Sequence, residues 1–267
     1  MVKAEFEAID AENRSFTVES AEKLGKLLTE LFQKGQVEGV GFDVFGTIIN
    51  GSLNRSDLSA LLSGKIADYY RSKTGKLMTD AECFGIYFEQ REILKSKRNQ
   101  ILTKNGFLSA KDQECPEVLV FQEMAKLLEL NESTDFISAI QAAWLDFDLQ
   151  NTKPIFEMLD LVAQAISLFG KDHVGVYSNH SFTKMHLIAV LERSGYFGSS
   201  MLSSKNVFLS SEFGVREYGV GLRKPSVIAF NELSKQLLLS SAKLAFVGDN
   251  KNDSLFAVNA GGIGILI

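Results

Sequence analysis

The chain has 267 residues and a formal net charge of −5, with 45% hydrophobic and 23% charged residues. This composition is typical of a globular protein, and the length suffices for one core domain with an insertion. The acidic balance gives no support for nucleic-acid binding, and no apolar run approaches the roughly 20 residues that span a bilayer.

The N-terminal region, residues 1–37, precedes the first predicted core strand. Residues 1–6 are too polar for a signal peptide. Residues 5–9 and 16–19 predict a hairpin, and the leucine spacing in residues 20–33 predicts an amphipathic helix. We interpret the region as an extension that covers a sheet edge or mediates self-association or partner contact.

The most informative segment is residues 40–47, in which the apolar run Val-Gly-Phe ends in Asp43 and Val-Phe-Gly-Thr follows. Strands that are buried on both faces have continuous apolar sequences of this kind. In open α/β sheets, ligands bind at the carboxyl ends of the strands. We therefore interpret Asp43 as an active-site carboxylate. The alternative at this point is a strand followed by a turn that the Asp43 side chain caps.

Residues 51–150 predict an all-helical insertion, because the stretch before the next predicted core strand is far longer than one crossover helix needs. The periodicity predicts four helices, near residues 57–72, 80–104, 116–130 and 133–148. In the third of them, five apolar residues share one face: Val118, Phe121, Met124, Ala125 and Leu128. Such an insertion would close over a site and select small substrates.

The second predicted helix of the insertion carries one stripe of aromatic and basic residues: Phe84, Phe88, Arg91, Lys95 and Arg98. This stripe predicts that Arg91 and Arg98 bind an anionic group of a substrate, because guanidinium suits carboxylate or phosphate. The alternative is that the two arginines lie along the surface and pair with Glu89 and Glu92.

A second apolar run, residues 173–177, ends in Ser178 and Asn179. Ser181 then predicts the start of a helix over residues 182–194. A hydroxyl at a strand end beside a helix N-terminus is suited to hold a phosphate oxygen. The alternative is a cap and a turn without a ligand.

Lys224 and Pro225 form the third informative feature. Pro225 predicts the first turn of a helix over residues 227–239, which places Lys224 just before it. A lysine in this position neutralises a bound anion and a nearby carboxylate, although a solvated loop lysine is the commoner case. Residues 213–221, which precede it, predict a flap near the site.

The fourth feature is the run over residues 244–248, which delivers Asp249 to a strand end and Asp253 four residues later. Paired carboxylates near a phosphate site indicate Mg²⁺, because this hard cation takes oxygen ligands. The alternative for Asp253 is a turn residue near a helix start.

Together these features resemble the four motifs of the haloacid dehalogenase (HAD) superfamily: Asp43-Val44-Phe45-Gly46-Thr47, Ser178-Asn179, Lys224-Pro225, and Gly248-Asp249 with Asp253. The resemblance covers roughly residues 38–267. It implies an α/β fold with a Rossmann-like core, a parallel sheet and an inserted all-helical cap. We place the core at 38–50 and 151–267 and the cap at 51–150.

The resemblance also implies residue roles. Asp43 would be the nucleophile of an aspartyl intermediate, Lys224 would offset its charge, and Asp253 would orient Lys224 or a water. The expected contacts to substrate oxygens come from Thr47, Ser178 and Asn179. The expected Mg²⁺ ligands are Asp43, the backbone carbonyl of Phe45, and Asp249.

Phe45 departs from the phosphatase pattern, which has a second aspartate there as general acid and base. An aromatic residue at this position resembles the dehalogenases of the family, which act at carbon without metal. Asp249 favours the metal-dependent version, because without a cation it would face Asp43 as an uncompensated like charge. His180 is a candidate substitute acid, its alternative being an exposed loop histidine.

We therefore expect a Mg²⁺-dependent phosphatase that acts on a small phosphorylated metabolite. The alternatives are a dehalogenase-like hydrolase that acts at carbon without metal, and a weakly catalytic ligand-binding protein. Cys83 and Cys115 lack metal or redox spacing, so we expect free thiols and a reducing, cytoplasmic location. We expect neither a nucleic-acid nor a membrane partner.

Overall fold

The computed structural model describes residues 7–8, 14–51, 55–105, 113–130, 133–179, 182–198, 200–218 and 221–267. The strands, in chain order, are β1 (Glu7–Ala8), β2 (Ser15–Thr17), β3 (Gly39–Phe42), β4 (Ile49–Gly51), β5 (Gln113–Glu114), β6 (Thr152–Pro154), β7 (Val174–Ser178), β8 (Val207–Leu209), β9 (Gly221–Leu222), β10 (Leu244–Gly248) and β11 (Ile263–Leu266). The helices are α1 (Ala21–Gln33), α2 (Arg55–Thr74), α3 (Asp80–Asn105), α4 (Glu117–Leu127), α5 (Ser133–Asn151), α6 (Phe156–Phe169), α7 (Lys184–Arg193), α8 (Val215–Tyr218), α9 (Val227–Gln236) and α10 (Lys251–Val258).

The main sheet has the strand order β1-β2-β11-β10-β3-β7-β8. Every neighbouring pair is parallel except β1 with β2. All residues of β3, β7 and β10 are buried, as their apolar sequences predict for strands covered on both faces. The predicted α/β class with a parallel sheet is confirmed.

Helices α2 to α5 lie between β3 and β7 in the chain and share a hydrophobic cluster separate from those of the sheet. Strands β4 and β6 pair antiparallel where the chain leaves the sheet and where it returns. Phe182, which follows β7, belongs to the same cluster and stacks on Phe121 of α4 at 5.5 Å between ring centroids. We call α2 to α5 the cap, and its limits of 51 and 150 stay a prediction.

The N-terminal region is part of the sheet. Strand β2 pairs parallel with β11, and the predicted hairpin is present as β1 with β2. Helix α1 buries the leucines of its apolar face and packs on α6. That face is therefore covered within the chain, and contact of residues 1–37 with a partner stays a prediction. Its buried residues are Leu24, Leu27, Leu28 and Leu31.

Helix α7 begins two residues later than predicted, whereas α9 begins at Val227 as predicted. Thr183, rather than Ser181, caps α7, since its hydroxyl accepts the His186 N–H at 3.2 Å. Ser226 caps α9, so Pro225 precedes the helix instead of forming its first turn. The segment before α7 offers two residues that suit an N-cap, Ser181 and Thr183, and sequence alone does not choose between them. Ser181 and His180 lie outside the described residues.

The predicted flap over residues 213–221 contains α8 and then β9, which pairs antiparallel with β5 of the cap segment. Both cysteines are buried and neither forms a disulfide bond within the described residues, and burial raises the pKa of the Cys83 thiol to about 11. Within the described ranges, no helix is both long enough and apolar enough to cross a membrane.

Candidate active site at the carboxyl edge of the sheet

The carboxyl ends of β10, β3 and β7 meet at one edge of the sheet. Phe42 of β3 pairs with Val247 of β10 on one side and with Val176 of β7 on the other. Because these strands are parallel and in step, the residues that follow them emerge together. Asp43, Asp249 and Ser178 are the polar residues delivered there.

A buried cation joins two of the predicted carboxylates. The Lys224 Nζ donates to Asp43 Oδ1 at 2.5 Å and to Asp253 Oδ1 at 2.5 Å. Asp43 is 7% exposed, Lys224 5% and Asp253 1%. The ammonium also lies 5.2 Å from the ring centroid of Phe246, whose face attracts a cation. The structure thus brings together three residues that are far apart in the sequence.

Burial sets the protonation of this group. It raises the pKa of Asp43 to about 6, against the lowering effect of the Lys224 ammonium. Burial likewise raises the pKa of Asp253 above its ordinary value. Burial lowers the pKa of Lys224, and its two carboxylate partners raise it by more, so Lys224 stays charged. One cation does not fully compensate two buried carboxylates.

A third carboxylate adds to this negative charge. Oxygen atoms of Asp43, Asp249 and Asp253 all lie within 4.8 Å of one another. Asp249 is exposed, and among the described residues its side chain has no cationic partner within salt-bridge distance. Three carboxylates against one ammonium, all with oxygen donors, fit a divalent cation such as Mg²⁺. The backbone carbonyl of Phe45 as a further ligand stays a prediction.

Two glycines allow the carboxylates to come so close. A Cβ on Gly46 would lie 2.1 Å from Asp249 Oδ2, and Gly46 has a φ of +89°. A Cβ on Gly248 would lie 2.2 Å from the Cβ of Asp253. A side chain at either position would therefore push a carboxylate out of the site, which explains the glycines of the first and fourth motifs.

The residues predicted to hold substrate oxygens lie at or after the carboxyl ends of β3 and β7, and their contact with a substrate stays a prediction. Thr47 is 1% exposed, and its Oγ1 has no hydrogen-bond partner among the described residues. A buried hydroxyl without a partner costs free energy unless a ligand or water satisfies it. Ser178 is also buried. Asn179 also contacts residues 223–226, which we call the lysine loop, since its Oδ1 accepts the Lys224 backbone N–H at 3.3 Å.

Asp253 contacts both a helix start and the buried lysine. Its Oδ2 accepts the Asn250 backbone N–H at 3.3 Å, which completes a capping box at the start of α10. Its Oδ1 binds Lys224. The alternative interpretation from sequence, a carboxylate near a helix start, is thus correct, and the functional role of Asp253 stays a prediction.

Arg91 has partners within the cap. Its Nη2 lies 3.5 Å from Glu114 Oε1 and 3.4 Å from Glu117 Oε1. The predicted alternative named other carboxylates, of which Glu92 pairs with Lys95 instead. A role of Arg91 as a substrate ligand stays a prediction, and the side chain of Arg98 lies outside the described part of the chain.

Sequence patterns did not identify Phe246, Glu114 or Arg223 as neighbours of the site. Phe246 reads only as one apolar residue of a buried strand. Arg223 Nε lies 3.5 Å from Glu114 Oε2, which connects the cap to the lysine loop. An isolated acid beside Cys115-Pro116 carries no motif, so no signal in the chain pointed to this contact.

No family model and no curated protein matches this chain. Solved structures do match. A magnesium complex of a HAD family enzyme from Bacteroides thetaiotaomicron is 14% identical, with 87% of this chain and 93% of that chain covered and a TM-score of 0.49. A HAD family hydrolase from Deinococcus radiodurans R1 with bound phosphate and sodium is 15% identical, with 86% and 80% covered and a TM-score of 0.39.

The L-2-haloacid dehalogenase from Xanthobacter autotrophicus, with chloropropionic acid covalently bound, is 13% identical, with 86% and 77% covered and a TM-score of 0.43. Similarity at this level carries no inference about activity. The strand order, the helical insertion after β3 and the motifs at one sheet edge are this chain's own features. On these features, its fold is haloacid dehalogenase-like.

Proposed function

We propose that this protein is a Mg²⁺-dependent phosphatase that acts on a small phosphorylated molecule through an aspartyl-phosphate on Asp43. The observation that carries the proposal is the excess of carboxylates over cations at the sheet edge. Oxygens of Asp43, Asp249 and Asp253 lie within 4.8 Å, and Lys224 is their one ion-pair partner among the described residues. A dianionic phosphate would be repelled there unless a cation accompanied it.

In this proposal Asp43 attacks phosphorus with one carboxylate oxygen, and the bond from phosphorus to the leaving oxygen breaks in line. Lys224 holds Asp43 in position and offsets the charge that gathers on the phosphoryl oxygens. The hydroxyls of Thr47 and Ser178 donate to those oxygens. The departing oxygen takes its proton from solvent. Hydrolysis of the acyl phosphate by water then releases inorganic phosphate and restores the Asp43 carboxylate.

Asp43, Asp249 and the backbone carbonyl of Phe45 are the proposed ligands of Mg²⁺. When bound, the cation supplies Lewis-acid stabilisation of the transferred group and screens the phosphate from the carboxylates. Asp253 has another role, because its two oxygens are occupied by Lys224 and the Asn250 backbone. It fixes the lysine ammonium rather than the cation.

Phe45 shapes which substrates react. A phenyl group cannot protonate a leaving oxygen, a step worth about 10²–10⁴-fold in enzymes that have it. We therefore propose slow turnover of alkyl phosphates and faster turnover of substrates with good leaving groups.

The same residue, Phe45, favours a second candidate function, hydrolysis at carbon, in which a halide leaves without a proton. A ligand-binding protein with little turnover is the third.

The test is hydrolysis of an aryl phosphate with and without Mg²⁺, with Asp43→Asn as the control. We expect release that needs Mg²⁺ and falls by at least about 10³-fold in Asp43→Asn, since the nucleophile is lost. Asn keeps the size of the side chain, so a folded but inactive variant isolates the chemistry. Equal phosphate release by Asp43→Asn and the wild type would contradict the proposal.

The alternatives are separated by two further assays. Halide release from a 2-haloacid that survives chelation would favour hydrolysis at carbon. Phe45→Asp should raise turnover of an alkyl phosphate by about 10²-fold if only the acid is missing. A protein that binds phosphate but shows no turnover in either form would be a ligand-binding protein.

A further inference from the structure

The two residues of β9 lead directly into Arg223 and Lys224. Strand β9 pairs with β5, with Leu222 opposite Gln113 and Gly221 opposite Glu114. The backbone that carries the catalytic lysine is therefore bound to a segment at the edge of the cap.

Strand β9 is also fixed from the core. The Tyr177 hydroxyl, on β7, donates to the Leu222 carbonyl, and the Leu222 N–H donates to the Phe213 carbonyl at 3.0 Å. Gly221 packs so tightly that a Cβ would lie 2.4 Å from the Ser210 carbonyl. With one end of the lysine loop held this closely, a small shift of β9 would move the Lys224 ammonium away from its partners.

Glu114 is the charged residue at this junction. It is 8% exposed, and its two oxygens divide between the cap and the lysine loop. Oε1 lies 3.5 Å from Arg91 of α3, and Oε2 lies 3.5 Å from Arg223. A buried carboxylate with one arginine on each side forms a bridge between them, since each cation offsets part of its charge.

We propose that Glu114 is a positioning residue for Lys224. Through Arg223 and the pairing of β5 with β9, Glu114 holds the loop at the place where the ammonium reaches both Asp43 and Asp253. The cap segment thus sets the geometry of the core site. The kinetic consequence rests on the proposed phosphatase function, whereas the positioning itself does not.

The first test measures positioning without activity, by hydrogen exchange of the full chain. Glu114→Gln should accelerate exchange of the backbone amides in residues 221–226 about tenfold, because the charged anchor is lost. Exchange in β10 should stay unchanged. The matched control is Glu123→Gln, which removes the charge of a cap glutamate that pairs with Lys126 at 2.6 Å. Unchanged exchange at 221–226, or equal acceleration throughout the cap, would overturn the proposal.

The second test asks whether Glu114 acts through Lys224. Glu114→Gln should lower kcat for an aryl phosphate about tenfold with KM within about twofold. In a Lys224→Met background the same change should have no further effect, since its target is gone. A full tenfold loss in that background would overturn the proposal. If the wild type shows no hydrolysis, the phosphatase function fails, and the exchange experiment alone decides the role of Glu114.

Discussion

Two regions of this molecule are built from the same parts. At the sheet edge, Lys224 lies between Asp43 and Asp253, and in the cap, Arg91 lies between Glu114 and Glu117. In each region one cation meets two buried carboxylates. The regions differ in the further polar or charged groups that lie beside the two carboxylates.

In the cap, other protein groups stabilise the extra negative charge. Arg223 contacts Glu114, and the Tyr87 hydroxyl donates to Glu117 Oε2 at 2.6 Å. At the sheet edge, a third carboxylate, Asp249, is added instead, and it is exposed. A cluster whose charges are balanced holds structure, whereas a cluster left with surplus charge at a surface is suited to bind a cation and react.

The largest effect that separates the two regions is expected for Lys224→Met. Loss of the ammonium removes the charge that positions Asp43 and stabilises the transferred group, so kcat should fall by about 10³-fold. It also leaves two buried carboxylates without a cation, which should cost about 3 kcal/mol of unfolding free energy near pH 7. Steady-state kinetics and denaturant unfolding measure both quantities. Full activity in the variant would contradict the assigned role.

Gly248→Ala should come next. The added Cβ would lie 2.2 Å from the Cβ of Asp253, so that the carboxylate must leave Lys224. We expect a loss of about 10²-fold in kcat and about 1–3 kcal/mol of stability, as for other overpacked sites. Gly85, in the exposed part of α3, is the control, since a Cβ there meets nothing within 4 Å. A Gly248→Ala enzyme with normal kcat would show that Asp253 is dispensable.

The polar residues at the sheet edge of the core could largely be predicted from sequence. Asp43, Ser178 and Asp249 each follow a buried apolar strand, and parallel strands bring such ends to one edge. The helices of the cap also followed from periodicity, to within a few residues at their ends. Local pattern and position in the chain were sufficient for these features.

The ionic cluster of the cap, in which Arg91 lies between Glu114 and Glu117, could not be predicted from sequence, for physical reasons. Strands β5 and β9 have two residues each, too short for any periodicity, and their pairing is a long-range contact. The stripe of α3 grouped Arg91 with Phe84 and Phe88, which are exposed, and could not say which carboxylates Arg91 would contact. The partners of a charged side chain depend on packing between helices, which sequence spacing does not encode.

The pH dependence of stability is expected to show a smaller effect that also distinguishes the sheet edge from the cap. In the folded protein the pKa of Asp43 is about 6, above its ordinary value, so between about pH 4 and 6 the folded state holds a proton that the unfolded state has lost. Stability from this group is present below that window and declines as pH rises through it. Burial raises the pKa of Glu117 in the same direction.

Mg²⁺ should distinguish these two carboxylates. Without metal, the stability of the wild type relative to Asp43→Asn should decrease from pH 4 to 6.5, and added Mg²⁺ should reverse that decrease, because it binds the ionised form. The comparison of wild type with Glu117→Gln should show a decrease of the same sign that Mg²⁺ leaves unchanged. Thermal unfolding over this pH range measures both. If added Mg²⁺ also changed the decrease measured with Glu117→Gln, the two regions would not differ in cation binding.

The smallest effect is expected for Arg91→Met. Its ion pairs are long, at 3.4 and 3.5 Å, and Glu114 keeps Arg223 while Glu117 keeps Tyr87. We expect a loss of about 1 kcal/mol in stability with KM and kcat within about twofold, since Met preserves the apolar stem. The sequence-based prediction that Arg91 binds substrate requires a different result, a rise in KM of tenfold or more with kcat unchanged. Because Arg91 already has two carboxylate partners, an anionic substrate would have to displace them, and the value of KM decides whether it does.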